Sequence, residues 1–225
     1  EALLSVMLLW LVVPVVGAWP YVADGGMSVV DALFESMSGF TATGSTALSD
    51  FADFGPELFL WRAFSQWVGG IGIIVLFIAV FPQLAIAGRQ LFFAETPGPT
   101  EHRLTPRLRN TASAVMVVYA SLTVAAVVAY LATGLGPYDA VAHAMTTVAA
   151  AGFSPEARSF EGFGAGPQWV AIVFMALAGA NFALQSRALA GRPRSLLNDA
   201  EFRTYLAIAL TAGLALAWLI RDEMG

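Results

Sequence analysis

The chain has 225 residues, 58% of them hydrophobic and only 12% charged, with a formal net charge of −5. That leaves too little charge to cover a water-soluble surface, and no nucleic-acid partner is expected. The sequence has no cysteine, which excludes disulfides and cysteine-ligated metals.

Five stretches carry no charge at all, at 3–16, 64–87, 111–133, 168–186 and 205–220. With interfacial flanks, most are long enough to cross about 30 Å of hydrocarbon as helix, so an all-α membrane protein is expected. The first stretch begins near Glu1 with no initiator Met and no basic flank. It reads as a helix entered part-way along, as at a fragment boundary, and not as a signal peptide.

Between the first and second stretches, residues 31–46 read DALFESMSGFTATGST; between the third and fourth, 139–154 read DAVAHAMTTVAAAGFS, a repeat at an offset of 108. Asp31 falls on Asp139, Met37 on Met145, Gly44 on Gly152, and farther on Trp61 falls on Trp169. Each copy predicts a helix of about 11 or 12 residues, roughly 18 Å long, which cannot cross a membrane. Ser28 with Asp31 marks the start of one, and Pro137-Tyr138-Asp139 the start of the other. The small-residue runs at 41–45 and 149–153 contain the repeat's glycines and suit extended or strained backbone.

The simplest geometry is a helix that dips in from outside, returns without helix, and leaves on the same side. Irregular backbone at membrane depth is tolerated only where it is buried in protein or lines a water-filled cavity. A pore loop meets that condition. Its carbonyls replace the hydration shell of a monovalent cation, and the negative C-terminal end of the half-helix points to the same axis. Small residues also serve plain helix packing; two copies in the same span, half-helix, span setting favour the pore loop.

The basic residues, all arginine, orient the chain. Arg89, Arg103, Arg107 and Arg109 follow the second stretch, and Arg187, Arg192, Arg194 and Arg203 precede the last. The positive-inside rule puts both connections in the cytoplasm and segments 17–60 and 134–166 outside. The outer side then carries Asp24, Asp31, Glu35, Asp50, Asp53, Glu57, Asp139, Glu156 and Glu161 against Arg62 and Arg158. Such a face gathers cations, although solvated loop charge is the plain alternative. The tryptophans Trp10, Trp19, Trp61, Trp67, Trp169 and Trp218 mostly fall near predicted span ends, as in an aromatic belt.

Together these residues resemble the Trk/Ktr/HKT potassium transporters of the bacterial TrkH type. The resemblance is carried by 31–46, 66–82 (QWVGGIGIIVLFIAVFP), 94–99 (AETPGP), 107–112 (RLRNTA) and 199–205 (DAEFRTY). It implies four span, pore-helix, span repeats around one pore, resembling potassium-channel subunits. Two repeats and the first span of a third are present here, as a fragment or as a half closed by another half-subunit. The implied division is 1–87 for the first repeat, 88–110 for a cytoplasmic connection, 111–190 for the second repeat, 191–203 for a second connection and 204–225 for the start of a third repeat.

By the same resemblance, the potassium-binding carbonyls belong to Ala42, Thr43, Gly44 and Ser45, and to Ala150, Ala151, Gly152 and Phe153. Glycine at Gly44 accompanies potassium selectivity in the family, whereas serine there accompanies sodium transport. The sequence departs from the family pattern at Ala42, where threonine is frequent, and in the 149–151 alanine run. Also implied are potassium uptake without a covalent cofactor, a bacterial inner-membrane location, a homodimer of full subunits, a cytosolic nucleotide-binding regulatory subunit, and a gate in the third repeat.

Other readings compete at single sites. Gly69-Gly70-Ile71-Gly72 resembles a nucleotide-loop fragment but lacks the Lys-Ser/Thr and the preceding strand, so close helix packing is expected. Asn181, Gln185 and Arg187 face either the pore or the headgroups. Asp139 and His143, at i and i+4, form with Ser154 an imaginable hydrolase set. A noncatalytic membrane scaffold is the remaining alternative.

Overall fold

The computed structural model describes residues 2–48, 50–92, 105–189, 191–192 and 194–220, and the described residues form helices joined by turns and loops. They divide into two compact units, Glu1–Ala178 and Gly179–Gly225.

The first unit opens with α1 (Ala2–Gly17) and the short α2 (Trp19–Ala23), followed by the half-helix α3 (Val29–Phe40). Ser28 caps α3, its hydroxyl accepting the Asp31 N–H at 3.2 Å. The long α4 (Pro56–Phe92) follows, then α5 (Thr105–Ala132), the second half-helix α6 (Pro137–Val148), a single 3-10 turn and α7 (Ala165–Ala178). Both half-helices have 12 residues, as the repeat predicts. Both pack on α4, and α6 also packs on α5 and α7. At one end Ala18, Tyr21, Ala32 and Leu58 form a buried cluster that ties α2 and α3 to the start of α4.

Helices α4 and α5 run farther than the charge-free stretches predict. At about 1.5 Å per residue, the 37 residues of α4 exceed the roughly 30 Å of hydrocarbon. The charge-free stretches show where apolar spans are expected, while the helices themselves continue beyond them. Residues 93–104, with Arg103 and the AETPGP match, lie outside the described residues, as do the side chains of Arg89, Arg107 and Arg109.

The second unit contains α8 (Phe182–Leu189), α9 (Arg194–Leu197) and α10 (Ala200–Ile220). The span expected over 168–186 is not continuous: α7 ends at Ala178 and a new helix begins at Phe182. Gln185 donates to the Ala180 carbonyl at 3.0 Å and satisfies a backbone group freed by the break. Gln185 is buried, while Asn181 and Arg187 are exposed. Pro56–Leu76, Ala112–Ala132 and Ala200–Ile220 are long and apolar enough to cross a membrane.

Candidate functional site

The two half-helices end alike. In α3, the N–H of Thr41 donates to Met37, that of Ala42 to Gly39 and that of Thr43 to Ser38, each at 2.9 Å. In α6 the same three bonds recur, from Ala149 to Met145 (3.1 Å), Ala150 to Thr147 (3.0 Å) and Ala151 to Thr146 (3.2 Å). This pairing is a Schellman turn, whose left-handed residue is commonly glycine. Here it is alanine, Ala42 with φ 52° and Ala150 with φ 51°, a conformation that strains each loop by about 1 kcal/mol or more. Two residues on, Gly44 (φ 80°) and Gly152 (φ 93°) are left-handed as well.

The turns dictate where carbonyls point, because N–H and C=O of a trans peptide face opposite ways. The N–H groups of Ala42, Thr43, Ala150 and Ala151 turn back to their half-helices, so the carbonyls of Thr41, Ala42, Ala149 and Ala150 point away from them. Phe153 N–H donates to Gln66 Oε1 on α4 at 3.1 Å, which turns the Gly152 carbonyl away from α4. Ser45 differs: its carbonyl accepts the Ser38 hydroxyl at 2.6 Å. Of the other predicted site residues, Thr43 and Gly152 are exposed, and Ala151 and Phe153 are buried.

The loops lie side by side. A Cβ on Gly44 would sit 1.9 Å from the Ala151 carbonyl oxygen, so glycine is required there both by its φ and by its neighbour. One face of α4 supports both loops through Arg62, Gln66, Gly69 and Gly70, at i, i+4, i+7 and i+8. A Cβ at Gly69 would meet the Phe40 carbonyl at 2.2 Å, and one at Gly70 the Ala149 Cα at 3.3 Å. These glycines thus admit the ends of both half-helices, which bears out the packing reading at Gly69 and Gly70.

Arg62 and Glu35 are not vestibule charges. They form a buried pair, Nε to Oε2 3.1 Å, with side chains 2% and 0% exposed. Removing one partner of such a pair costs roughly 3–5 kcal/mol, because the other charge is left uncompensated. Glu35 Oε1 also accepts from the Thr46 hydroxyl at 2.6 Å and from the Ala47 N–H. Arg62 reaches Thr46 Oγ1 at 3.2 Å and the Ser154 carbonyl at 3.4 Å, and its guanidinium lies 4.0 Å from the Phe153 ring centroid.

In the second repeat His143 stands where Glu35 does, and Ser154 where Thr46 does. His143 Nδ1 lies 2.9 Å from the Asp139 backbone carbonyl and Nε2 lies 3.2 Å from Ser154 Oγ. A carbonyl can only accept, so Nδ1 carries the proton and Nε2 accepts from the serine hydroxyl. The hydrolase set is thereby corrected. His143 and Ser154 do meet, but Asp139 offers a carbonyl where a triad needs a carboxylate. The pair is the second copy of the Glu35–Thr46 clasp.

In the sequence Glu35 and Arg62 stand out only as outer charges, and Gln66 has no role of its own. The available signal is an arginine and a glutamine one turn apart, just before a glycine pair, on a mostly apolar helix.

Repeated spans that bracket short half-helices, each ending in a strained loop beside its counterpart, define the class of pore-loop membrane proteins. The family TrkH, described as a cation transport protein, matches residues 3–218, and the chain belongs to it. Among relatives, a "Trk system potassium uptake protein TrkH" of Vibrio parahaemolyticus is 38% identical over 215 residues, 92% of this chain and 44% of the relative. A protein of the same name from Escherichia coli K12 is 35% identical over 216 residues, 94% of this chain and 45% of the relative. The crystal structure of the potassium transporter TrkH from Vibrio parahaemolyticus superimposes with a TM-score of 0.85 at 34% identity, covering 99% of this chain and 46% of that one. The chain thus spans about half the length of these relatives and is a multi-pass membrane protein of their family.

Proposed function

We propose that this chain forms part of a potassium-uptake pore, with backbone carbonyls of 42–45 and 150–153 taking the place of the ion's water. The observation that carries the reading is the pair of matching Schellman-ended loops set against each other at Gly44 and Ala151. Carbonyls turned from the helix ends and from α4 supply oxygen ligands without side-chain charge, as dehydrated potassium requires. The half-helix C-termini add negative potential. Ser45, whose carbonyl already accepts Ser38, has one lone pair left for an ion. Potassium is the substrate, not a cofactor, and the reading involves no covalent chemistry.

A closed ring needs more than two loops, so further loops come from other parts of the subunit or from a second copy. Exposed acids such as Asp24, Asp50, Asp53 and Glu57 gather cations at the outer mouth. The family resemblance extends the proposal to a cell-membrane homodimer of full subunits, with a cytosolic nucleotide-binding partner at the arginine-bearing connections. Rubidium uptake into liposomes by the native subunit tests the reading: selective uptake supports it. No uptake from folded protein returns the chain to a scaffold role.

A further inference from the structure

We infer that Arg62, held by Glu35, is a positioning residue that locks the two pore loops to each other and so fixes the ring spacing that separates potassium from sodium; the inference rests on the potassium-pore reading above. The guanidinium spans both repeats, touching the Thr46 hydroxyl at 3.2 Å and the Ser154 carbonyl at 3.4 Å. Thr46 and Ser154 occupy the same place in their copies, each two residues beyond the loop glycine. A single group therefore joins equivalent points of adjacent loops.

The second repeat has no such group of its own. Val170 stands where Arg62 does and His143 where Glu35 does, so its loop depends on the first repeat's arginine. The Phe153 ring, 4.0 Å from the guanidinium, adds a contact at the last of the proposed ion-binding residues. A planar fork with five donors can hold three partners in fixed directions, which the point charge of a lysine cannot. Glu35 supplies the complementary requirement. A bare buried cation beside a cation path would repel the ion, and the Glu35 carboxylate, 3.1 Å from Arg62 Nε, cancels that field at close range.

Discrimination between potassium and sodium, whether by cavity size or by carbonyl field, needs the carbonyls held where they are. Loosening the clamp is therefore expected to change selectivity more than folding. The test uses the native subunit in liposomes, reading rubidium uptake with and without competing sodium, and two variants. Arg62→Lys keeps the ion pair with Glu35 but gives up the bridge between the loops. The double variant Glu35→Gln/Arg62→Met removes both charges together, a change that buried pairs often tolerate.

In Arg62→Lys the preference for rubidium over sodium is expected to fall about tenfold, which is about 1.4 kcal/mol and the scale of one charge-assisted hydrogen bond. The double variant, if it elutes as a single species, loses at least as much; if it does not fold, Arg62→Lys decides alone. Arg62→Lys with wild-type yield and unchanged preference overturns the inference and leaves Arg62 as a plain structural ion pair. Wild-type protein that passes no rubidium defeats the pore reading itself, and the inference with it.

Discussion

Alanine at Gly44 meets two separate obstacles. The first is backbone: at φ 80° an L-residue is disfavoured by about 1–2 kcal/mol. The second is the neighbouring loop. The new Cβ lies 1.9 Å from the Ala151 oxygen and 3.0 Å from its carbonyl carbon. To reach ordinary contact near 3.5 Å, the second loop must retreat by about 1.6 Å. Forced overpacking of this kind adds about 1–3 kcal/mol. Gly26→Ala separates the two effects, because Gly26 has φ 62° but nothing within 4 Å of its Cβ position. Both variants should therefore melt earlier than wild type in detergent. Only Gly44→Ala should lose rubidium flux per folded subunit, by more than about tenfold if even 1.4 kcal/mol falls on the conducting geometry. Equal flux from the two variants would refute the reasoning, since the contact between loops would then carry no function.

Three further expectations follow from single contacts. Gln66→Leu leaves the buried Phe153 N–H without the acceptor it has at 3.1 Å; a loss of about 1–3 kcal/mol should appear as a lower melting midpoint together with reduced flux. Ser28→Ala removes the α3 cap and should lower the midpoint by about 1 kcal/mol of stability while flux per folded subunit stays at wild type. A serine-reactive fluorophosphonate should leave Ser154 unlabelled, because His143 is oriented by a carbonyl and not a carboxylate; a labelled Ser154 by mass spectrometry would revive the hydrolase reading.

The half-helices were legible because their signals are local. Ser28, Asp31 and Pro137 start them, and runs of small residues end them, so the repeat alone located both turns to within a residue. The roles of Arg62 and Glu35 were not legible, because a charge 27 residues from its partner in sequence looks like solvated loop charge until α3 is folded onto α4. The break after Ala178 is hidden for a similar reason: 168–186 carries no charge, and nothing in its composition tells that Gln185 bonds the Ala180 carbonyl and not the pore or the headgroups. The direction of the Ser45 carbonyl depends on Ser38, a residue of the half-helix that composition marks only as small and polar.

The most direct test of the central claim is to locate the ion. Crystals of the native subunit grown in rubidium should show anomalous scattering peaks beside the 42–45 and 150–153 carbonyls, aligned along one axis. Those peaks should disappear in Gly44→Asp. Rubidium absent from both loops in well-ordered crystals, or bound only at the exposed acidic side chains, would contradict the account.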